Sequence, residues 1–157
     1  MTTLVPALAL LAGLLSALLA GFYLAFSLSI MPALARLPDP VLVSVMQTVN
    51  RVIVRPGFVV LFLGAPLVAA AAVVLALVAG APVAAVILGA LLQVASLVIT
   101  AAVNIPLNTG LDRADPHDAA DVVRAREAFE RPWVRAHGVR TAVTTLGAAA
   151  LLAAPLL

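Results

Sequence analysis

The chain contains no cysteine and no lysine, and only seven of its 157 residues are Phe, Tyr or Trp. The absence of cysteine excludes a disulfide framework, a thiolate nucleophile, an iron–sulfur cluster and a cysteine-ligated zinc site. Charged side chains make up 10% of the residues, whereas a soluble domain carries about 25%. All nine basic residues are arginines that form no continuous basic run, so we predict no nucleic-acid partner.

Hydrophobic residues dominate the rest of the composition. They make up 64% of the chain, and the mean hydropathy is +1.20. A soluble protein of this length has too little interior to bury so much apolar surface, so the surrounding solvent must be lipid. The length fits a single transmembrane domain over residues 1–157, in which we find no internal repeat and no second domain.

The distribution of charge predicts four membrane-spanning helices. Residues 1–35, 56–111 and 141–157 carry no charge, and a spanning helix needs about 20 apolar residues. The longest uncharged segment holds two spans, because Gly80 and Pro82 mark a turn within it. We therefore predict an all-α fold, an antiparallel bundle of transmembrane helices over residues 4–30, 57–79, 82–104 and 135–156.

The connections before the second and fourth spans are predicted to be helical as well. Asp39-Pro40 is a helix start signal, and the apolar residues after it recur at helical spacing, which is typical of an interfacial amphipathic helix. Asp115-Pro116 repeats the start signal. The segment after it carries the i,i+4 pairs Arg126/Glu130 and Glu127/Arg131, which predict a charged cytoplasmic helix before the fourth span.

The arginines predict the orientation. All of them lie in or beside the connections between helices 1 and 2 or between helices 3 and 4, and these two connections face the same side in a four-span chain. Because positively charged connections stay in the cytoplasm, we predict that both charged connections are cytoplasmic and both termini are outside. The protein is then a multi-pass protein of the plasma membrane.

Polar side chains recur on one face of three predicted helices. Because a polar face is costly in lipid, we predict that the three stripes converge inside the bundle. The stripes are Gln93, Ser96, Thr100 and Asn104; Ser16, Tyr23 and Ser27; and Trp133, His137, Arg140, Thr141 and Thr144. Interhelical hydrogen bonding is the alternative role for the serines and threonines, and an interfacial anchor is the alternative role for Trp133.

A candidate site lies at the cytoplasmic ends of the third and fourth helices, where four polar residues share one depth: Asn104, Asn108, His137 and Arg140. Gln47 and Asn50 of the interfacial helix reach the same level. A lone histidine is more often structural than catalytic, but a neighbouring arginine and two amides favour a functional site.

Four motifs, in this order along nearly the whole chain, resemble the anthrone-oxygenase-like family of small four-helix membrane proteins. They are Met31-Pro32-Ala33-Leu34, Met46-Gln47-x-x-Asn50, Asn104-Ile105-Pro106-Leu107-Asn108 and Trp133-x-x-x-His137-x-x-Arg140-Thr141. The bacterial members of this family mostly have no assigned function. The resemblance therefore implies an integral protein of a bacterial plasma membrane.

The resemblance further implies an oxygenase that converts an anthrone or related phenolic molecule into a quinone with dioxygen and without metal, flavin or haem. An anthrone CH₂ is acidic because its carbanion is an aromatic phenolate, which reduces dioxygen directly. By transfer of role, His137 is the base, Arg140 with Asn104 or Asn108 holds the oxyanion, and Trp133 stacks on the ring system. The remaining residues of the substrate site are Gln47, Asn50, Tyr23 and Thr100.

Other functions stay open. The main alternative is a non-catalytic membrane accessory or a lipid- or quinone-binding protein, and homo-oligomer formation is undecided. A proton-coupled exporter is disfavoured because no carboxylate lies within a predicted span. A bis-histidine haem site is disfavoured because His117 lies in a hydrophilic connection, and His137 with Glu130 is a thin ligand set for a metal.

Overall fold

The computed structural model describes residues 3–156 and confirms the all-α fold. The described part of the chain contains five helices and no strand. Four of them are long and apolar enough to span a membrane, as expected of a multi-pass membrane protein. The helices are α1 (Leu4–Leu34), α2 (Asp39–Ile53), α3 (Pro56–Ala79), α4 (Ala84–Asp112) and α5 (Ala119–Ala153), followed by a 3₁₀ turn over Ala154–Leu156.

The four long helices form a ring in which α1 and α4 each pack against both α3 and α5. Successive long helices run in opposite directions, so neighbours in the ring are antiparallel. The amphipathic helix α2 packs against α4 and α5, with Leu42, Val43 and Met46 buried. We call the end of the bundle that carries α2 and the first half of α5 the charged end.

Small residues bring the long helices close together at the other end. The buried residues of α3 are alanines at helical spacing, namely Ala65, Ala69, Ala72 and Ala76. A Cβ atom added to Gly89 of α4 would lie 3.1 Å from the carbonyl oxygen of Gly147 of α5. Such contacts are the main source of helix association where lipid replaces water. The first half of α3, over residues 56–64, has no buried residue and is not packed in this way.

Two of the long helices contain a π turn just before a proline. The π turn Phe26–Ile30 ends where Met31 N–H bonds Phe26 O, and the π turn Thr100–Asn104 ends where Ile105 N–H bonds Thr100 O. Pro32 and Pro106 follow directly. A proline ring clashes with the carbonyl four residues earlier, and one extra residue in the turn relieves that clash.

Both helices therefore continue past their proline, to Leu34 and Asp112. The apolar segments predicted that these spans end at residues 30 and 104, which is too early.

The charged helix before the fourth span is continuous with that span. Helix α5 runs through Pro132 without a break, so the charged segment and the apolar segment form one rod. Its start also differs from the Asp115-Pro116 signal. Asp118 is the N-cap, because its carboxylate accepts hydrogen bonds from the N–H groups of Ala120 and Asp121. Asp115 lies in the preceding turn and accepts a bond from His117 N–H.

The two halves of the chain repeat one order of features, although no internal repeat was expected from the sequence. Each half has a π turn, a proline, an Asp-Pro pair, a second helical segment and an Arg-Pro pair that leads into a span. The spacing from Asp to Arg is the same in both halves. The matching positions are Pro32 and Pro106, Asp39-Pro40 and Asp115-Pro116, and Arg55-Pro56 and Arg131-Pro132.

Arg126 joins α5 to the end of α1. Its guanidinium donates hydrogen bonds to the carbonyl oxygens of Ala35 at 3.0 Å and Leu37 at 2.8 Å. It also pairs with Asp39 and Glu130, both at 2.7 Å. One arginine thereby satisfies free carbonyls after α1 and fixes the start of α2 against α5.

Candidate functional site

A cleft of about 440 Å³ opens at the charged end, where all five helices contribute side chains. Its volume is in the range of small-molecule sites, about 300–1,000 Å³. Its polar lining residues are Asn50, Thr100, Asn108, Thr109, Asp112, His137 and Arg140. A second cavity of about 570 Å³ at the opposite end is lined only by valine, alanine and proline, so it offers no side chain for chemistry.

The cleft gathers the few aromatic residues of the chain. Five of the seven line it, namely Phe22, Phe26, Phe58, Phe62 and Trp133. The other two, Tyr23 and Phe129, contact lining rings, with centroid distances of 5.4 Å to His137 and 5.7 Å to Trp133. Phe58 and Phe62 stack at an interplanar angle of 12° on the unpacked half of α3. The cleft therefore has the flat, apolar walls that suit a planar ring system.

Arg140 is the main charge in the interior of the cleft, and 92% of its surface is buried, since its exposed fraction is 8%. Among the ion pairs of residues 3–156, none includes Arg140. Its guanidinium instead lies 4.4 Å from the centroid of the Tyr23 ring and 5.6 Å from that of Trp133. Cation–π contacts of this kind offset part of the cost of burying a charge, but they leave no counter-ion.

His137 is held in one neutral tautomer. Its Nδ1 atom accepts hydrogen bonds from Arg140 Nη2 at 2.7 Å and Arg140 Nε at 3.0 Å, and a guanidinium can only donate. Its Nε2 atom lies 2.9 Å from the carbonyl oxygen of Tyr23, which can only accept. The ring proton is therefore on Nε2, and the lone pair on Nδ1 faces Arg140. Trp133 stacks on the imidazole at 4.5 Å and 10°.

The two asparagines of the Asn-x-Pro-x-Asn motif have different environments. Asn108 lines the cleft, and its Oδ1 accepts a hydrogen bond from Trp133 Nε1 at 2.8 Å. Asn104 is 1% exposed behind the lining, where its Nδ2 donates to the carbonyl oxygen of Trp133 at 3.4 Å. Its Oδ1 has no hydrogen-bond partner in the described part of the protein. Both amides thus hold Trp133, one through its side chain and one through its backbone.

The four further residues of the predicted substrate site also separate into two groups. Thr100 lines the cleft and accepts a hydrogen bond from Arg140 Nη1 at 3.1 Å, and Asn50 lies at the mouth, 3.2 Å from Asp112 Oδ1. Gln47 and Tyr23 lie outside the lining. Gln47 donates to two carbonyl oxygens where α4 ends, those of Leu111 and Ala114. The ring of Tyr23 contacts the guanidinium of Arg140.

The buried polar stripe on α4 is confirmed. Gln93, Ser96, Thr100 and Asn104 are between 1% and 7% exposed, and Ser96 is bonded to Thr144 of α5 at 2.7 Å. Asn104 and His137, both buried, lie on facing helices as predicted.

Sequence reasoning missed the phenylalanine walls of the cleft. A signal for them was present, because Phe22/Phe26 and Phe58/Phe62 are i,i+4 pairs that each place two rings on one helix face. Both pairs lie near the charged end of their spans. Asp112 was also missed as a lining residue, since it follows the predicted end of the third span.

Comparison with known proteins identifies one family. The family model described as anthrone oxygenase matches residues 56–150, which cover α3, α4 and most of α5. The match includes the polar residues Thr100, Asn108, His137 and Arg140 of the cleft, and it leaves out α1 and α2. No curated protein and no solved structure matches the chain.

Proposed function

Because the chain belongs to the anthrone oxygenase family, we propose that it oxidises a planar anthrone-like or phenolic molecule with dioxygen in the cleft. The methylene carbon opposite the oxygen of the substrate becomes a carbonyl carbon. One atom of dioxygen enters the product, and the other leaves as water with the two methylene hydrogens. No cofactor takes part in this proposal, since the aromatic anion of the substrate itself supplies the electrons.

The observation that carries the proposal is the position of Arg140. A buried cation without a carboxylate partner, between aromatic rings and beside an aromatic-walled cleft, is suited to an anionic ring system. Donors that are already oriented stabilise a developing oxyanion without reorganisation, and they act more strongly where water is excluded. The proposed oxyanion site is therefore the guanidinium of Arg140, with Thr100 holding its third nitrogen.

His137 supplies the proton acceptor in this proposal. Nδ1 is its unprotonated nitrogen, and the Tyr23 carbonyl keeps the proton on Nε2. Trp133 forms one wall of the cleft, and it is held by Asn108 at its indole nitrogen and by Asn104 at its backbone carbonyl. The phenylalanines of α1 and α3 complete the apolar walls around the apolar part of the substrate, which limit its contact with water.

The test is oxygen uptake by purified protein in detergent, with a metal chelator present, over a panel of anthrones and related phenols. We expect His137→Ala to abolish uptake. Arg140→Lys keeps the charge but loses the planar donor pair, and losing one charge-assisted bond of about 1.5–3 kcal/mol lowers kcat/KM by roughly ten- to a hundredfold.

His117→Ala and Arg135→Lys are the matched controls, because both residues are exposed and lie outside the cleft. Both should retain the wild-type rate. Equal rates for the wild type and His137→Ala on every substrate would remove His137 from the mechanism.

A quinone- or lipid-binding accessory protein is the second candidate. It is favoured by one observation, which is that both ring nitrogens of His137 are already hydrogen-bonded inside the protein. Such a protein would bind planar aromatic ligands in the same cleft but consume no oxygen with any member of the panel.

A further inference from the structure

We infer that His137 and Arg140 act on one and the same substrate oxygen, so that the proton removed in the cleft is the O–H proton of an enol or a phenol. This inference rests on the proposed function and specifies its substrate. An anthrone would react as its enol tautomer, the hydroxyanthracene, rather than through its methylene C–H bond.

The base and the cation are in direct contact. The basic lone pair of His137 is on Nδ1, and two N–H groups of Arg140 point at it from 2.7 and 3.0 Å. The other ring nitrogen is bonded to the Tyr23 carbonyl at 2.9 Å. The imidazole therefore has no second lone pair that could reach a distant part of the substrate.

The carbonyl oxygen and the acidic methylene carbon of an anthrone lie at opposite ends of the central ring. A base at the carbon and an oxyanion donor at the oxygen would have to be separated by the width of that ring. Nδ1 and the guanidinium are in direct contact, so both meet the same end of the substrate. At the oxygen end, only the enol tautomer offers a proton.

Ionisation of the substrate proceeds by an exchange of hydrogen bonds. A hydroxyl group that reaches the pair gives its proton to Nδ1. The Arg140 N–H groups that pointed at Nδ1 then donate to the new oxyanion, while Thr100 still accepts from the third nitrogen. Proton uptake by His137 without a substrate oxygen would instead place two donors and two positive charges face to face. His137 can therefore act as a base only when a substrate oxygen replaces Nδ1 as the acceptor of the Arg140 N–H groups.

The oxidation that follows balances. The aryloxide gives electrons to dioxygen, and a C–O bond forms at the carbon para to the aryloxide oxygen. The aryloxide C–O group becomes a carbonyl group in the same step. The peroxide lies across the ring from His137 and takes its proton from water, while His137 gives its own proton back to water, so that a hydroperoxide and a neutral imidazole result. Loss of water removes the remaining hydrogen of that carbon together with the terminal OH group, and the second carbonyl forms.

The first test is anaerobic binding of 1-naphthol, a phenol without a methylene group, followed by absorbance. We expect the wild type to bind it with the spectrum of the naphtholate. The methyl ether, 1-methoxynaphthalene, should bind about tenfold more weakly or worse, because it cannot become an anion for Arg140.

His137→Gln is the informative variant, since a glutamine oxygen still accepts from Arg140 but does not take up the proton. It should bind 1-naphthol without ionising it, and His117→Gln should behave as the wild type. Ionisation of bound 1-naphthol by His137→Gln, or equal affinities for 1-naphthol and its methyl ether in the wild type, would overturn the inference. This result does not depend on turnover, so it decides the inference even if no oxygen is consumed.

The second test compares the two tautomers of one anthrone. The preformed enol should be consumed at a rate proportional to enzyme. Uptake from the keto form should become independent of enzyme concentration at high enzyme, because enolisation in the buffer then limits it. Uptake from the keto form that stays proportional to enzyme, with a primary isotope effect of methylene deuterium on kcat/KM, would mean that the C–H bond is broken in the cleft. No uptake from either tautomer would contradict the proposed function and leave the binding result standing.

Discussion

At the scale of single residues, Arg140 is held by His137 Nδ1, one hydroxyl and two aromatic rings instead of a carboxylate. A buried ion pair would neutralise the cation and leave little attraction for an anionic ligand. Contacts with Tyr23 and Trp133 keep the guanidinium in place without neutralising it. Trp133 also stacks on His137, and Tyr23 meets His137 edge to face. The two rings therefore orient both His137 and Arg140.

Trp133 depends on its hydrogen bond to Asn108, and a double-mutant cycle measures that bond. Trp133→Phe keeps a ring on His137 but leaves Asn108 Oδ1 without its donor, and Asn108→Leu removes the acceptor. We expect each single variant to be less stable, and the two effects to be non-additive by about 1 kcal/mol. The measurement is the free energy of unfolding in a denaturing detergent titration. Strictly additive effects would mean that the bond contributes nothing.

At the scale of helices, the π turn in α4 keeps Asn108 on the side of the helix that lines the cleft. Residues four apart in an α-helix drift by about 40° per step, because a turn holds 3.6 residues. Thr100, Asn104 and Asn108 are four apart, so a regular helix would carry the last of them away from the cleft. The extra residue in the turn Thr100–Asn104 compensates for this drift, and Pro106 explains why the turn lies there. The corresponding π turn in α1 begins at Phe26.

The close approach of α4 and α5 gives a prediction for glycine substitutions. A Cβ atom at Gly147 would lie 2.6 Å from Gln93 Nε2 and 3.2 Å from Gly89 O, so Gly147→Ala must displace the Gln93 amide from its bond to Thr144 O and crowd the backbone of α4. We expect a loss of about 1–3 kcal/mol in the free energy of unfolding, as for other overpacked sites.

Gly138→Ala is the control on the same helix, because nothing lies within 4 Å of its added Cβ. It should leave stability unchanged or raise it by up to about 1 kcal/mol, the difference in helix propensity. Similar losses for both variants would show that helix packing is not the cause.

At the scale of the whole molecule, the two ends of the bundle differ in packing, since one end is closely packed and the other contains the cleft. Glycine and alanine pack the helices tightly at the end away from the charges, around the buried residues Ala9, Ala12, Ala69, Ala72 and Leu151. At the charged end, the bundle opens between α3 and the other helices and forms the cleft. Arg126 and the helix α2 hold that open end together from outside the bundle.

The orientation of the protein in the membrane is the prediction at this scale. Because the arginines cluster at one end, we expect residues 36–56 and 108–136 to face the cytoplasm and both termini to lie outside. Reporter fusions at Leu157 and near Asp115 measure this. Activity at Leu157 of a reporter that works only in the cytoplasm would contradict this orientation, whereas activity of the same reporter near Asp115 would support it.

The sequence by itself determined the number of spans, the amphipathic helix and the burial of the polar stripe. Lipid leaves little choice here, because backbone groups must bond within a helix and polar side chains must face inward. Those constraints act locally, and they can be read from runs of apolar residues and from spacing. The same constraints predicted which polar residues meet at the charged end, namely Thr100, Asn108, His137 and Arg140.

The contacts between those residues were decided by the tertiary structure. Arg140 and His137 are three residues apart on one helix, so their spacing already places them side by side. Whether Arg140 also meets a carboxylate or a ring of another helix depends on distances between helices, which no spacing along the chain encodes. The continuation of α1 and α4 past Pro32 and Pro106 depended on π turns, which changed the path of the chain at the cleft. Five scattered aromatic residues became one lining only because α1, α3 and α5 meet at the same end.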